Sequence, residues 1–205
     1  MTDFNIPAET ARYDQEIKKS RFIAYAAHAA SPDMANIFIK KIRTEYPDAR
    51  HVCWAFVAGQ PGHSTEVGFS DDGEPNGTAG MPMLNVLQHG ETGEIVVVVV
   101  RYFGGIKLGT GGLARAYSSS VSGVLKLLPL QLKVIKTTVF FKAEFSQEDA
   151  VRRSLQMIGA DNIKIQYNES LSIECDVPED NYSVLKKNLN DLSRGKINVK
   201  TNNVF

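Results

Sequence analysis

A chain of 205 residues, 43% of them hydrophobic, is long and apolar enough for one large domain or two small ones with real cores, and disorder is not its default state. Lysine plus arginine and aspartate plus glutamate both number 23, so no overall charge commits the protein to nucleic acid or to an anionic membrane. Any such binding must come from a local patch.

The first residues, MTDFNIPAET, have neither a basic start nor an apolar run, so no signal peptide is expected. Residues 12–30 read as strand. Ser31, Pro32 and Asp33 then supply a capping hydroxyl, a proline at the first helical position and an early carboxylate, and Met34, Phe38, Ile42 and Tyr46 mark an inward face up to Pro47. HVCWAFVAG at 51–59 alternates like a strand, with Cys53 on one side and Val52, Trp54 and Phe56 on the other. A short helix is expected over 81–88. The stretch EIVVVVVRYF at 94–103 carries five consecutive valines, which predicts a central strand buried on both faces.

Beyond it, GGIKLGTGG at 104–112 leads into a helix whose Leu113, Tyr117, Val121, Val124 and Leu128 share a face. Residues 128–137 read as a joining segment. The remainder reads as strand (139–144), helix capped by Ser146 and closed by Gly159, two strands (162–167 and 171–177), helix opened by Pro178, and a last strand (196–200). This βαββαβ order is that of a ferredoxin-like domain. The expected domains are 1–130 and 131–205. The longest apolar run, 95–100, is too short to cross a bilayer. Cys53 and Cys175 show no zinc spacing and are expected as reduced, buried thiols of a cytoplasmic protein.

A strand, a glycine-rich loop and a helix N-terminus form a potential anion site, because the first helical N–H groups lack internal acceptors. The segment 93–126 carries Arg101, Lys107, Arg115 and Lys126 against Glu94 alone. GTGGLA at 109–114 matches GxGxxA, but no acidic residue follows about 20 positions on, and Thr110 stands where a P-loop would place lysine. Both nucleotide motifs fail. A basic, backbone-lined rim remains, with Arg101, Gly104, Gly105, Lys107, Gly109, Gly111, Gly112 and Arg115 as candidate phosphate or nucleic-acid contacts.

Upstream, Asp71, Asp72 and Glu74 in FSDDGEPNGTAGMP form a candidate acidic cleft, able to hold Mg²⁺ or to pair with Arg101 and Lys107. Adjacent Asp71 and Asp72 would point apart on an extended chain. His51 and Cys53 share a strand face but have no third ligand and no nucleophile signature, and Ser118–Ser120 lack the GxSxG frame. No catalytic residue, metal site or cofactor is assigned.

SDDGEPNGTAGMPMLNVL at 70–87 and VVVVRYFGGIKLGTGGLARAY at 97–117 closely resemble the two signatures of the IMPACT family. The resemblance implies an α/β (α+β) protein with an N-terminal domain like ribosomal protein S5 domain 2 and a C-terminal ferredoxin-like domain like domain V of elongation factor G. It also implies a regulator: the eukaryotic member restrains an amino-acid-starvation kinase by competing for its ribosome-associated coactivator, and bacterial members have been proposed to bind nucleic acid. Two functions are therefore expected in competition. The first is a non-enzymatic protein binding RNA or a ribosome-associated partner through the basic cleft, with the C-terminal sheet as a second surface. The second is a Mg²⁺-dependent enzyme acting on a small phosphate or nucleotide.

Overall fold

The structure, a computed structural model, describes residues 3–201; the ends of the two expected domain ranges, 1–2 and 202–205, lie outside the described residues. The chain divides into two compact units, one spanning Phe4–Lys133 and one running from Val134 onward that also takes in Asp3.

In the first unit the elements are β1 (Phe4–Pro7), β2 (Ala11–Ile17), β3 (Ser20–His28), α1 (Pro32–Glu45), β4 (His51–Val57), β5 (Val67–Ser70), α2 (Gly80–Gln88), β6 (Ile95–Tyr102), α3 (Thr110–Leu127) and β7 (Leu130–Lys133). Five of the strands form one sheet in the order β2-β3-β6-β4-β5, each neighbouring pair antiparallel. The valine strand β6 lies in the middle. Its Ile95, Val97 and Val99 enter the core under α2 and α3, and its Val96, Val98 and Val100 enter the core under α1. Strand β4 divides in the same way, Cys53 and Ala55 to one side, Val52 and Phe56 to the other.

Helix α1 begins as its sequence predicts: the Ser31 hydroxyl accepts a hydrogen bond from the Met34 amide at 3.3 Å, with Pro32 opening the first turn. Its inward face differs from the expected one. Ala35, Ile39 and Ile42 are buried, Phe38 and Tyr46 are half-buried, and Met34 is exposed. A run spaced by four drifts round a helix of 3.6 residues per turn, whereas the spacing of four then three stays on one side. The segment 128–137 contains β7, which pairs antiparallel with β1, and the start of the next strand. Neither β1, β5 nor β7 has enough alternating residues to show in the sequence.

The second unit is built from β8 (Lys136–Ala143), α4 (Glu148–Met157), β9 (Asp161–Tyr167), β10 (Leu171–Pro178), α5 (Tyr182–Ser193) and β11 (Lys200–Thr201). The predicted βαββαβ order is present, with antiparallel strands in the order β11-β8-β10-β9. Both helices pack on one face through Val151, Leu155, Leu185 and Leu189, opposite Val139, Phe141, Ile173 and Cys175. Ser146 is not the helix cap. A single 3-10 turn, Phe145–Gln147, precedes α4, and Glu144 and Gln147 form its capping box. The protein is therefore α+β. Among the described residues no helix is long and apolar enough to cross a membrane.

Candidate functional site

The two glycine-rich signatures lead into two helices, and the geometry at their N-termini differs. At α2 the chain supplies its own anion. Asp71 Oδ1 accepts hydrogen bonds from the Ala79 and Gly80 amides at 2.9 and 2.8 Å, and its Oδ2 accepts one from Gly77 at 2.8 Å. Asp72 and Gly73 take positive φ, 41° and 83°, which Asp tolerates and Gly adopts freely, and the turn sends the adjacent carboxylates apart. The Asp72 carboxylate accepts the Val52 amide at 2.7 Å and pairs with Arg43 at 2.8 Å.

Glu74 is buried. Its Oε1 accepts hydrogen bonds from Arg101 Nη1 at 2.6 Å and from the Tyr117 hydroxyl at 2.8 Å. The pairing of this acidic turn with the end of the central strand, one of the two alternatives open in the sequence, is realised by Glu74 and Arg101. The Arg101 guanidinium also lies 5.5 Å from the Phe22 ring centroid and 5.6 Å from that of Phe103, a cation–π arrangement. The Cys53 sulfur sits 3.0 Å from the Asp71 carbonyl and 3.3 Å from the Tyr117 hydroxyl. Burial pushes both the Cys53 thiol and the Tyr117 phenol far above their ordinary values, so both stay protonated at neutral pH. Arg101 thus sits inside the unit, 6% exposed, away from the solvent-facing rim where the sequence placed it.

At α3 the arrangement is open. Gly109, with φ 75°, stands at the N-cap and offers no side chain, and the first turn of the helix holds no acidic residue. A Cβ on Gly111 would meet nothing within 4 Å, so close packing does not require glycine there. Gly104 has a different task. A Cβ there would lie 1.9 Å from the Lys19 carbonyl group, and its amide donates to Ser20 Oγ at 3.1 Å. That close approach carries the turn between β2 and β3 to the glycine loop. Gly105, exposed with φ 85°, completes the bend that follows.

The turn is Lys18-Lys19, both residues at positive φ (48° and 63°), a two-residue hairpin connection normally built from Asn-Gly. Lys18 and Arg115 line one groove of about 320 Å³ with Leu108 and Gly112. Lys107 immediately precedes Leu108 and is exposed, as are Lys19 and Arg115. Among the described residues none of Lys18, Lys19, Lys107 and Arg115 pairs with a carboxylate. Lys18 and Lys19 are not marked in the sequence because their neighbours are distant in the chain: β2 packs along α3 through Gln15, and the Lys19 carbonyl meets Gly104, 85 residues on. The one available signal was a Lys-Lys pair where a hairpin turn ordinarily takes Asn or Gly.

The fold and site define an α+β protein in which Glu74 and Arg101 of the two signatures pair inside the unit while Lys107 and Arg115 of the second face solvent. A model of the Impact N-terminal domain matches residues 18–125. The chain is 42% identical to the IMPACT family member YigZ of Escherichia coli (strain K12), across 96% of this chain and 97% of that protein. It is 40% identical to an IMPACT family member of Haemophilus influenzae, across 96% of each. A crystal structure described as that of a hypothetical protein superposes with a TM-score of 0.71 at 41% identity, across 97% of both chains. The chain belongs to the IMPACT family.

Proposed function

We infer that this chain is a binding protein, not an enzyme, and that it takes the phosphates of RNA along the groove between the Lys18-Lys19 turn and the N-terminus of α3. The observation that carries the reading is the pair of exposed cations without carboxylate partners, Lys18 and Arg115, in one groove at a helix start that has neither a side-chain cap nor an acidic residue, with exposed Lys19 and Lys107 next to lining residues in the chain. A helix start of this kind is electropositive, and cations placed around it have no packing role, so the field is directed at an anion. A role in translation, through RNA or a ribosome-associated partner, accords with the family. So would folds like ribosomal protein S5 domain 2 and domain V of elongation factor G, which the resemblance implies.

A Mg²⁺-dependent phosphate or nucleotide enzyme would need carboxylate oxygens facing the groove. Those of Asp71, Asp72 and Glu74 are engaged by backbone amides, Arg43, Arg101 and Tyr117, which supports the binding reading over the enzymatic one.

The test is RNA binding measured over a range of salt. Replacing Lys107 and Arg115 by Ala is expected to weaken binding and to reduce the slope of log K against log[salt] by about 0.7 per lost contact on a single strand. Lys18→Ala with Lys19→Ala acts in the same direction. Unchanged affinity and slope in both double variants would sink the assignment. Stabilisation of the wild-type protein by a nucleotide, dependent on Mg²⁺, would favour the enzymatic reading instead.

A further inference from the structure

In the second unit both helices cover one face of the four-stranded sheet, and strand alternation leaves the other face to a distinct set of side chains. The registers place them. Lys200 on β11 stands opposite Phe140 on β8, Phe140 opposite Glu174 on β10, and Glu174 opposite Lys164 on β9. One row thus crosses the whole sheet with an aromatic ring on a central strand and a lysine at each edge. The next row is Lys142, Ser172 and Gln166. These residues and the approach to β11, with Lys196 and Asn198, line a groove of about 410 Å³.

Four lysines face one glutamate in this groove. Lys164 pairs with Glu174 at 2.9 Å and Lys196 with Glu144 at 3.6 Å, both at the exposed surface, where such pairs hold little free energy and exchange readily for a phosphate. Among the described residues Lys142 and Lys200 have no carboxylate partner. A half-buried phenylalanine ringed by cations offers too little apolar surface for an amphipathic helix, and a β-strand partner would seek an edge. It does suit a nucleobase, which stacks on the ring while neighbouring lysines meet the backbone. Ser172, Gln166 and Asn198 add neutral donors and acceptors of the kind that meet a ribose 2′-hydroxyl.

We propose that the open face of the C-terminal sheet is a second RNA surface, binding single-stranded RNA by base stacking on Phe140 and phosphate contacts from Lys142 and Lys200. This surface does not depend on the groove at α3, and the experiment keeps the two apart. A labelled single-stranded oligouridylate on the order of 10 nucleotides long is titrated against the full chain and against the Lys18→Ala, Lys107→Ala, Arg115→Ala variant. In both backgrounds Phe140→Ala is expected to weaken binding by roughly 5- to 150-fold, the range for loss of one stacked base. Phe140→Tyr retains binding. Lys142→Ala with Lys200→Ala lowers the salt slope by about 0.7 per contact. Should Phe140→Ala fail to fold, Phe140→Leu removes the aromatic face and keeps apolar bulk, and the same loss is expected. Normal binding by the α3 triple variant, with loss on Phe140→Ala, would refute the α3 reading and leave this one standing. Unchanged binding in folded Phe140 variants and in the Lys142/Lys200 variant would overturn the sheet proposal. So would a preference for duplex RNA or for single-stranded DNA, or displacement of the RNA by an acidic peptide at lower concentration.

Discussion

The starts of α2 and α3 follow the same plan, a glycine-rich loop running into a helix, yet one is closed from within and the other is open. At α2 three amides are satisfied by Asp71, a carboxylate nine residues or fewer upstream, so the electropositive end is neutralised by the chain itself. At α3 the cap is Gly109, no carboxylate enters the first turn, and Lys18 of a distant hairpin shares a groove with Arg115. Glycine-rich loops therefore do not by themselves announce a ligand. The charge nearest the helix start decides whether the site is already occupied by the protein.

The closed side can be broken hardest at Glu74. Glu74→Ala leaves Arg101 buried with no counter-charge and the Tyr117 hydroxyl without its acceptor. The expected cost is about 3–5 kcal/mol in denaturant unfolding, with much of it recovered by adding Arg101→Met. Full stability of the single variant would show the buried pair to be incidental. Asp71→Ala removes the internal anion at α2 and should cost about 2 kcal/mol, by loss of the cap and of charge-assisted bonds to backbone amides. If its midpoint in urea matches the wild type, α2 does not depend on that carboxylate.

The open side can be converted into the closed one. Gly111→Asp places a carboxylate in the first turn of α3 where the added side chain has room, so stability should rise by about 0.5–1 kcal/mol while RNA affinity falls. A gain in stability without a loss of RNA binding would separate this helix end from the phosphate site.

The smallest effect concerns acid. Burial raises the Glu94 carboxyl, but hydrogen bonds and attraction from Lys133 and His28 outweigh it and hold its value below the ordinary 4.5. Its contribution to stability is present in full above that value and is lost as pH falls through the lowered folded-state value. Unfolding measured from pH 6 down to about 3 should show the wild type losing more stability than Glu94→Gln over that window. Parallel curves would mean that Glu94 titrates alike in the folded and unfolded chains.

Much of this architecture is written locally. Five valines in succession require a strand with core on both sides, and β6 lies mid-sheet with alternate residues in two cores. Ser31 before Pro32 marks the start of α1, and alternating apolar residues in β8 and β10 show the sided sheet of the second unit, because these signals need only a residue and its near neighbours. The glycine-rich loop running into α3 and the family resemblance were likewise legible in short contiguous stretches. Tertiary structure alone decided which charges meet. Glu74 and Arg101 are far apart in the chain and become partners only because β4 lies between the acidic turn and β6, and burial then leaves each no better partner than the other. Lys18 comes to α3 because β2 packs along that helix through Gln15 and Tyr13, Lys19 meets the glycine loop because Gly104 lets two backbones touch, and Lys200, Phe140, Glu174 and Lys164 form a row only through strand register. Electrostatic neighbours of this kind are set by packing across the sheet, a property that spacing along the chain does not encode.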